Sequence, residues 1–308
     1  MAETSGRNDS GSLDESLLRA LRDDGRASIK DLAALLGVSR DVVSQRLRLL
    51  SERDGLRVVA ALDPRFAGHN VLTNSKVEVE GPAAPVARRI AELDSTVFVS
   101  LTSGQYPIVF ESRDADPAGL HRVLDAVRSI PGVRQVRVTT YVEIIKGFFV
   151  ADERVEIRLD ALDEALIAEL QVDGRASYRA LADTVHLSPS SARARVHRMI
   201  DAGVIRISTI TSGMLSQGRL AIGLGIIARG DAAPIVEALR ADPAVDLAAR
   251  SHGSYDFVAT IVGNSAKQLL GTIEALRGVP EVGSVESWTH YDIVKESYDR
   301  ATGGTLSR

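Results

Sequence analysis

Leu32-Ala33-Ala34-Leu35-Leu36-Gly37-Val38-Ser39-Arg40-Asp41-Val42-Val43-Ser44-Gln45-Arg46-Leu47-Arg48-Leu49-Leu50 reads as two short amphipathic helices joined by a tight turn. Leu32, Ala33 and Leu36 space the inner face of the first helix. Gly37 supplies a left-handed residue to end it, and Val38 fills the corner. Ser39 is a good N-cap for a second helix, in which Val43, Leu47 and Leu50 recur at i, i+4 and i+7. The opposite face of that helix presents Arg40, Asp41, Ser44, Gln45 and Arg48. An apolar stripe backed by Arg, Gln and Ser suits a helix that packs on its own domain and reads base edges in a major groove. The stretch is a helix-turn-helix pattern, and these five polar residues are its candidate DNA contacts.

The pattern occurs twice. Adding 149 to the numbering maps Gly25-Arg26-Ala27-Ser28 onto Gly174-Arg175-Ala176-Ser177, Leu32-Ala33 onto Leu181-Ala182, Ser39 onto Ser188 and Arg46 onto Arg195. The same offset carries Gly104 and Tyr106 onto Gly253 and Tyr255, Pro131 onto Pro280, and Lys146 onto Lys295. One constant offset over the whole length means tandem duplication of a unit of about 145 residues, an ordinary domain-scale length. In the second copy the candidate DNA contacts are Ser190, Arg193, Ala194 and His197.

The 308 residues are ample for two domains with sizeable cores. Net charge is −4, which by itself does not advertise a nucleic-acid partner. Local charge differs. Arg40, Arg46, Arg48 and Arg53 stand against Asp41 and Glu52 in the first recognition helix, and Arg193, Arg195, His197 and Arg198 against Asp201 in the second. Taken alone, such a face is an ordinary solvated surface; two copies in register favour DNA. There is no cysteine, which excludes disulfides and thiolate metal sites. Met1–Ser12 lacks the apolar core of a signal peptide, and no apolar run approaches the ~20 residues that span a bilayer. A cytoplasmic protein without a membrane partner is expected.

Along the chain, residues 1–12 read as a disordered tail. Residues 13–62 form a winged or three-helix helix-turn-helix domain, whose final stretch Leu56–Leu62 reads as an extended strand leading away from it. Residues 68–146 follow the order β-α-β-β-α-β, with a hairpin turn at Ser103-Gly104-Gln105, the order of a ferredoxin-like sandwich with both helices on one face. A linker over 147–161 leads to a second helix-turn-helix domain, 162–211, and a second ferredoxin-like domain, 218–298, with its last strand near 282–291. The fold class is α+β in two copies.

The motifs Leu13-Asp14, Asp24-Gly25-Arg26-Ala27-Ser28 and Gly37-Val38-Ser39, with Asp163, Asp173-Gly174-Arg175-Ala176 and Leu187-Ser188-Pro189-Ser190, closely resemble the leucine-responsive regulator/AsnC family. The resemblance covers nearly the whole chain, twice. It implies a transcription regulator that binds double-stranded DNA, assembles as a homo-oligomer through its sandwich sheets, and senses an amino acid or related small molecule. The family's Gly-x-Tyr-Asp signature is intact as Gly253-Ser254-Tyr255-Asp256. By that resemblance Ser103, Gly104, Tyr106, His252, Gly253, Ser254, Tyr255 and Asp256 are candidate ligand residues. From the residues themselves, a strand Tyr is equally packing, and an Asp after it often bonds turn amides.

Three departures matter. Pro107 replaces the signature Asp in the first copy, removing a carboxylate and a backbone donor. His186 stands where the first copy has Gly37, at the left-handed helix end. The two recognition helices differ, so an asymmetric operator is expected. Gly223-Leu224-Gly225-Ile226-Ile227-Ala228 matches G-x-G-x-x-A, but it falls inside an expected strand instead of between a strand and a helix. The six histidines show no paired metal spacing, and no nucleophile elbow or phosphate loop appears, so neither catalytic residues, a metal site nor a cofactor is expected. Two alternatives stand beside the regulator. One is an enzyme of the sirohaem decarboxylase type, which shares the architecture but whose histidine- and aromatic-rich signature is not found here. The other is a DNA-free amino-acid-sensing module.

Overall fold

A computed structural model describes residues 13–14, 16–22, 24–147, 157–210 and 219–297. The 1–12 tail, residues 148–156 of the connection and the chain from Tyr298 onward lie outside the described residues. Helical residues 13–14 and 16–22 form α1. There follow α2 (Ile29–Leu36), α3 (Arg40–Asp54), β1 (Arg57–Leu62), β2 (Val71–Val79), α4 (Ala83–Ala91), β3 (Thr96–Thr102), β4 (Ile108–Asp114), α5 (Pro117–Arg128) and β5 (Val133–Lys146). The second copy supplies α6 (Ala161–Val172), α7 (Tyr178–Val185), α8 (Pro189–Asp201), β6 (Ile205–Ile210), β7 (Leu220–Ala228), α9 (Ala233–Ala241), β8 (Val245–His252), β9 (Phe257–Gly263), α10 (Ala266–Arg277) and β10 (Val282–Glu296). The chain divides into two compact units. One gathers the helical segments of both copies with β1 and β6, the other the remaining strands with their helices.

In the helical unit, the capping chemistry read from sequence sets the helix ends. Ser39 Oγ accepts from Val42 N, and Ser188 Oγ from Ser191 N. Gly37 closes α2 with φ 66°, and His186 closes α7 with φ 54°. Leu17, Leu21, Leu32, Val43 and Leu50 bury one core, and Leu166, Leu170, Leu181, Val196 and Met199 its counterpart. The stretch after α3 does not lead away, as its weak alternation suggested. As β1 it pairs antiparallel with β6, from Arg57↔Ile210 to Leu62↔Ile205. The reason is the buried run Val59–Leu62, which needs a partner strand from the other copy.

The strand unit is one closed barrel, in the order β10-β3-β4-β2-β5-β8-β9-β7 and back to β10. The sequence order implies two ferredoxin-like sandwiches; here the strands of both copies share one barrel. Each copy contributes four strands, and the two sets join edge to edge at β5–β8 and β10–β3. The junctions explain two long strands. β5 pairs with β2 up to Thr140 and with β8 from there to Lys146. β10 pairs with β7 up to His290 and with β3 from His290 to Glu296. The expected last strand ends near 291, but Asp292–Glu296 continues it, held extended by pairing with β3. Helices pack on the outer face: Val77, Val86, Ile90, Phe110 and Val127 form one core, and Leu224, Ile235, Phe257, Ile261 and Leu269 the other. Ile145 of β5 is buried in the second copy's core, and Val294 of β10 packs on the first copy's.

Gly223 and Gly225 lie on the lumen face of β7, where a Cβ would come within 2.1 Å of Trp288 Nε1 and 2.4 Å of the Tyr255 ring. The two glycines therefore make room for aromatic rings, which is the physical content of the G-x-G pattern here. At the β10–β3 seam His290 Nδ1 lies 3.0 Å from Ser100 Oγ, its ring edge-on to Phe98. Burial lowers the His290 pKa to about 4, so the buried ring is neutral at pH 7.

Two outcomes are expected. Because the unfolded chain takes up the His290 proton near pH 6.5 and the folded chain only near pH 4, the stability tied to neutral His290 is intact above pH 6.5 and lost as pH falls toward 4. Between pH 7 and pH 5 wild type should lose about 2 kcal/mol more than His290→Gln, read from urea midpoints. Gly223→Ala should cost about 2 kcal/mol or more by displacing Trp288. The chain's one tryptophan makes its emission maximum a direct reporter of that displacement.

Candidate functional site

The recognition helix of each copy buries one face and leaves the other bare. On α3, Val43 and Leu50 are buried while Arg40, Asp41, Ser44, Gln45 and Arg48 are exposed. On α8, Ala192, Val196 and Met199 are buried while Ser190, Arg193, Ala194 and His197 are exposed. All nine sequence-derived positions thus stand on the open face of a helix.

The basic character of these helices needs correction. Arg46 Nε pairs with Asp14 at 2.9 Å. Arg195 pairs with Asp160 and Asp163, each at 2.8 Å, and Arg198 also reaches Asp163, whose side chain is 0% exposed. These three arginines lock a recognition helix to the start of its own copy. Among the described residues, exposed positive charge on the open faces is carried by Arg40 and Arg48 on one helix and by Arg193 on the other.

The repeated Gly-Arg-Ala motif has its own task. Arg26 donates from Nη1 to Gly174 O at 2.7 Å and from Nη2 to Ala176 O at 2.8 Å. Arg175 returns the exchange to Gly25 O at 2.9 Å and Ala27 O at 2.8 Å. A Cβ on Gly25 would sit 2.6 Å from Ile207 O, and one on Gly174 3.0 Å from Val59 backbone, so only glycine permits the approach. Burial and the neighbouring Arg26 lower the Arg175 pKa. The motif is a reciprocal clasp between the two helical copies.

The candidate ligand residues divide into two turns. Ser103 N donates to Thr289 O at 3.0 Å and Ser103 Oγ accepts from Thr289 N at 2.9 Å, so this turn is stitched to β10. Gly104 is exposed with φ 91°, and Tyr106 is buried with its hydroxyl 3.4 Å from Gln135 Oε1. Gly253, with φ 125°, lies against β5, where a Cβ would meet Val138 O at 2.6 Å. Asp256 Oδ2 accepts from Ala228 N at 2.8 Å, a structural hairpin bond. His252 is exposed and Ser254 half-buried. Tyr255 Oη donates to Glu286 Oε2 at 2.6 Å and accepts from Lys76 Nζ at 2.8 Å. Burial first, then Glu286, raises the Tyr255 pKa.

Lys76 and Glu286 were missed in sequence. Lys76 is buried, 2.8 Å from Glu286 Oε1, with its ammonium 3.6 Å from the Trp288 ring centre. Burial lowers the Lys76 pKa against the opposing pull of Glu286. Burial alone would raise the Glu286 carboxyl, but the bonds from Lys76 and Tyr255 bring it below its ordinary value. One signal was available: a lysine on the inward phase of the alternating strand Val71–Val79.

An AsnC-type helix-turn-helix domain model matches residues 12–51 and 159–200. The HTH-type transcriptional regulator Rv2324 of Mycobacterium tuberculosis is 30% identical over 135 residues, covering 42% of this chain and 90% of that protein. The HTH-type transcriptional regulator FL11 of Pyrococcus horikoshii is 29% identical over 123 residues, covering 39% of this chain and 82% of that protein. Each relative thus spans about one copy. The crystal structure of the siroheme decarboxylase NirDL is similar over 92% of this chain and 93% of its own, with TM-score 0.62 at 12% identity, a likeness of fold.

The ion pairs predict unequal costs. Arg195→Ala leaves the buried Asp163 to Arg198 and the Asp160 amide and should destabilise by about 3 kcal/mol. Arg46→Ala removes a pair in which Asp14 is 28% exposed and should cost about 1 kcal/mol. Denaturant midpoints of the two variants decide this.

Proposed function

The chain belongs to the leucine-responsive regulator/AsnC family and is a DNA-binding transcription regulator; from that premise we propose how it reads DNA. The helix-turn-helix domains 13–62 and 162–211 dock α3 and α8 in successive major grooves. Arg40, Asp41, Ser44, Gln45 and Arg48 face one half-site, and Ser190, Arg193, Ala194 and His197 the other. The observation carrying this reading is that all nine side chains stand exposed on two helices whose opposite faces are buried. Because the two sets differ, the half-sites differ. The ferredoxin-like domains 68–146 and 218–298 hold the copies together, and homo-oligomers of the chain belong to the same reading.

An amino acid or related metabolite as effector fits the second hairpin turn best. His252 and Ser254 lie beside Tyr255, which joins a cation and a carboxylate, Lys76 and Glu286, of the kinds that would receive a zwitterion. The named relatives are regulators, and we read the chain as non-enzymatic.

The test is a salt titration of the purified protein on DNA upstream of its own gene. Wild type should bind saturably, with log K falling steeply against log salt. Arg48→Ala and Arg193→Ala should each lower that slope by about one. An unchanged slope in both variants refutes the assignment of the two helices.

A further inference from the structure

The arginine clasp joins the two helical copies by bonds that fix direction as well as distance. Each guanidinium sends two N–H groups to two carbonyls of the other copy, Arg26 to Gly174 O and Ala176 O, Arg175 to Gly25 O and Ala27 O, all between 2.7 and 2.9 Å. Those carbonyls lie just before Ser28 and Ser177, the N-caps of α2 and α7. Gly25 N also donates to Ile207 O at 3.2 Å, and Gly174 N to Val58 O at 2.8 Å. Each turn is thus held by a strand and an arginine of the other copy. Arg26 further stacks on Tyr178, the first residue of α7, 4.5 Å from its ring centre.

Buried packing carries that constraint to the open faces. Leu32 and Ala33 of α2 share a core with Val43 and Leu50 of α3. Leu181 and Ala182 of α7 are buried, as are Val196 and Met199 of α8. Stability alone does not account for two arginines at this place. Both are half-buried, and burial together with Arg26 lowers the Arg175 pKa, with Asp24 and Asp173 offsetting part of the repulsion. Apolar side chains of similar volume would join the copies without bringing like charges together. What a fork of paired N–H donors adds is orientation.

Orientation is what a pair of half-sites demands. Each base pair added between them moves one by about 3.4 Å and turns it by about 35° around the duplex axis. We infer that Arg26 and Arg175 are positioning residues that set the half-site spacing this chain accepts, without touching DNA themselves. That role rests on the reading of α3 and α8 as the DNA-facing helices, and adds to it a selectivity for distance and helical phase. Without the forks the β1–β6 pairing still joins the copies, but the helices around it are free to shift, so neighbouring spacings become acceptable.

The experiment selects duplexes from a pool with about 40 random base pairs, close to four helical turns. It uses the full chain, the double variants Arg26→Lys/Arg175→Lys and Arg26→Gln/Arg175→Gln, and the single variant Arg175→Lys. Lysine keeps the charge but is a point donor without the fork. Wild type should return two half-sites at one spacing. Both double variants should return the same half-sites spread over about three spacings or more, the preference for the wild-type spacing falling about tenfold. The glutamine variant should keep the wild-type salt slope on the selected duplex, because no phosphate contact is lost. Should a double variant fail to fold, the single variant keeps one fork and should widen the spacing less. Lysine variants that hold the single wild-type spacing, or a glutamine slope lowered by about two, overturn the proposal. Enrichment lost in the single variant as well makes the arginines necessary for binding as such, and overturns it too. A wild type that returns a lone half-site refutes the docking of both helices, and the proposal falls with it.

Discussion

A sheet edge is a row of unsatisfied amides and carbonyls, and a four-stranded sheet covered by helices on one face has two of them. In this chain each copy closes the other's edge with the second half of its last strand. Everything else in the barrel follows that exchange. Ile145 and Val294 cross with the strands into the opposite cores. Lys146 then caps carbonyls at the end of α9, Arg240 O and Asp242 O, while Lys295 reaches Leu93 O after α4. A cation is well placed at a helix C-terminus, and here each is delivered by the other copy. The helical unit obeys the same rule through β1–β6 and the two arginines of the clasp. Neither copy satisfies its own backbone alone.

Such reciprocity is what a symmetric dimer also achieves, but a tandem chain has a freedom a homodimer lacks. In a homodimer every substitution appears twice, so a large residue cannot be matched by a small one at the equivalent place. Here Lys76 faces the lumen where the second copy has Gly225, Asn74 where it has Gly223, and Thr139 where it has Trp288. The glycines vacate the volume that Tyr255 and Trp288 fill, and Lys76 lies against both rings. Arg137 and Glu286 occupy equivalent places with opposite charge, so a cross-barrel ion pair with Lys76 forms on one side of the axis. The cluster of one lysine, one glutamate and two aromatics exists because the two halves are free to differ.

How much of this was legible in sequence depends on whether the signal is local. Helix ends were, because a Ser N-cap and a Gly or His at the left-handed position act within a turn. The order of strands and helices was, because each element alternates by itself. Partners were not. Nothing in Val59–Leu62 says that its mate lies in residues 205–208, and nothing in Asp292–Glu296 says that β3 holds it. Charge was misread for the same reason. Arg46, Arg195 and Arg198 look like surface residues of a basic helix until Asp14 and Asp163, over thirty positions away, are seen beside them. The repeated residues held the missing information. Each pair related by the 149 offset that was singled out as Gly25/Gly174, Arg26/Arg175 or Lys146/Lys295 makes its key contact with the other copy.

The clasp also bears on how the regulator meets DNA. A helix-turn-helix homodimer mirrors its own twofold axis in a palindromic operator. This chain keeps the approximate axis in its helical unit, through β1–β6 and the Arg26–Arg175 exchange, while the open faces of α3 and α8 differ in sequence. Once one helix docks, the other is presented at the high effective concentration of an intramolecular event, so the second half-site can be recognised weakly and still be occupied. Tethering therefore relaxes selection on one reading face.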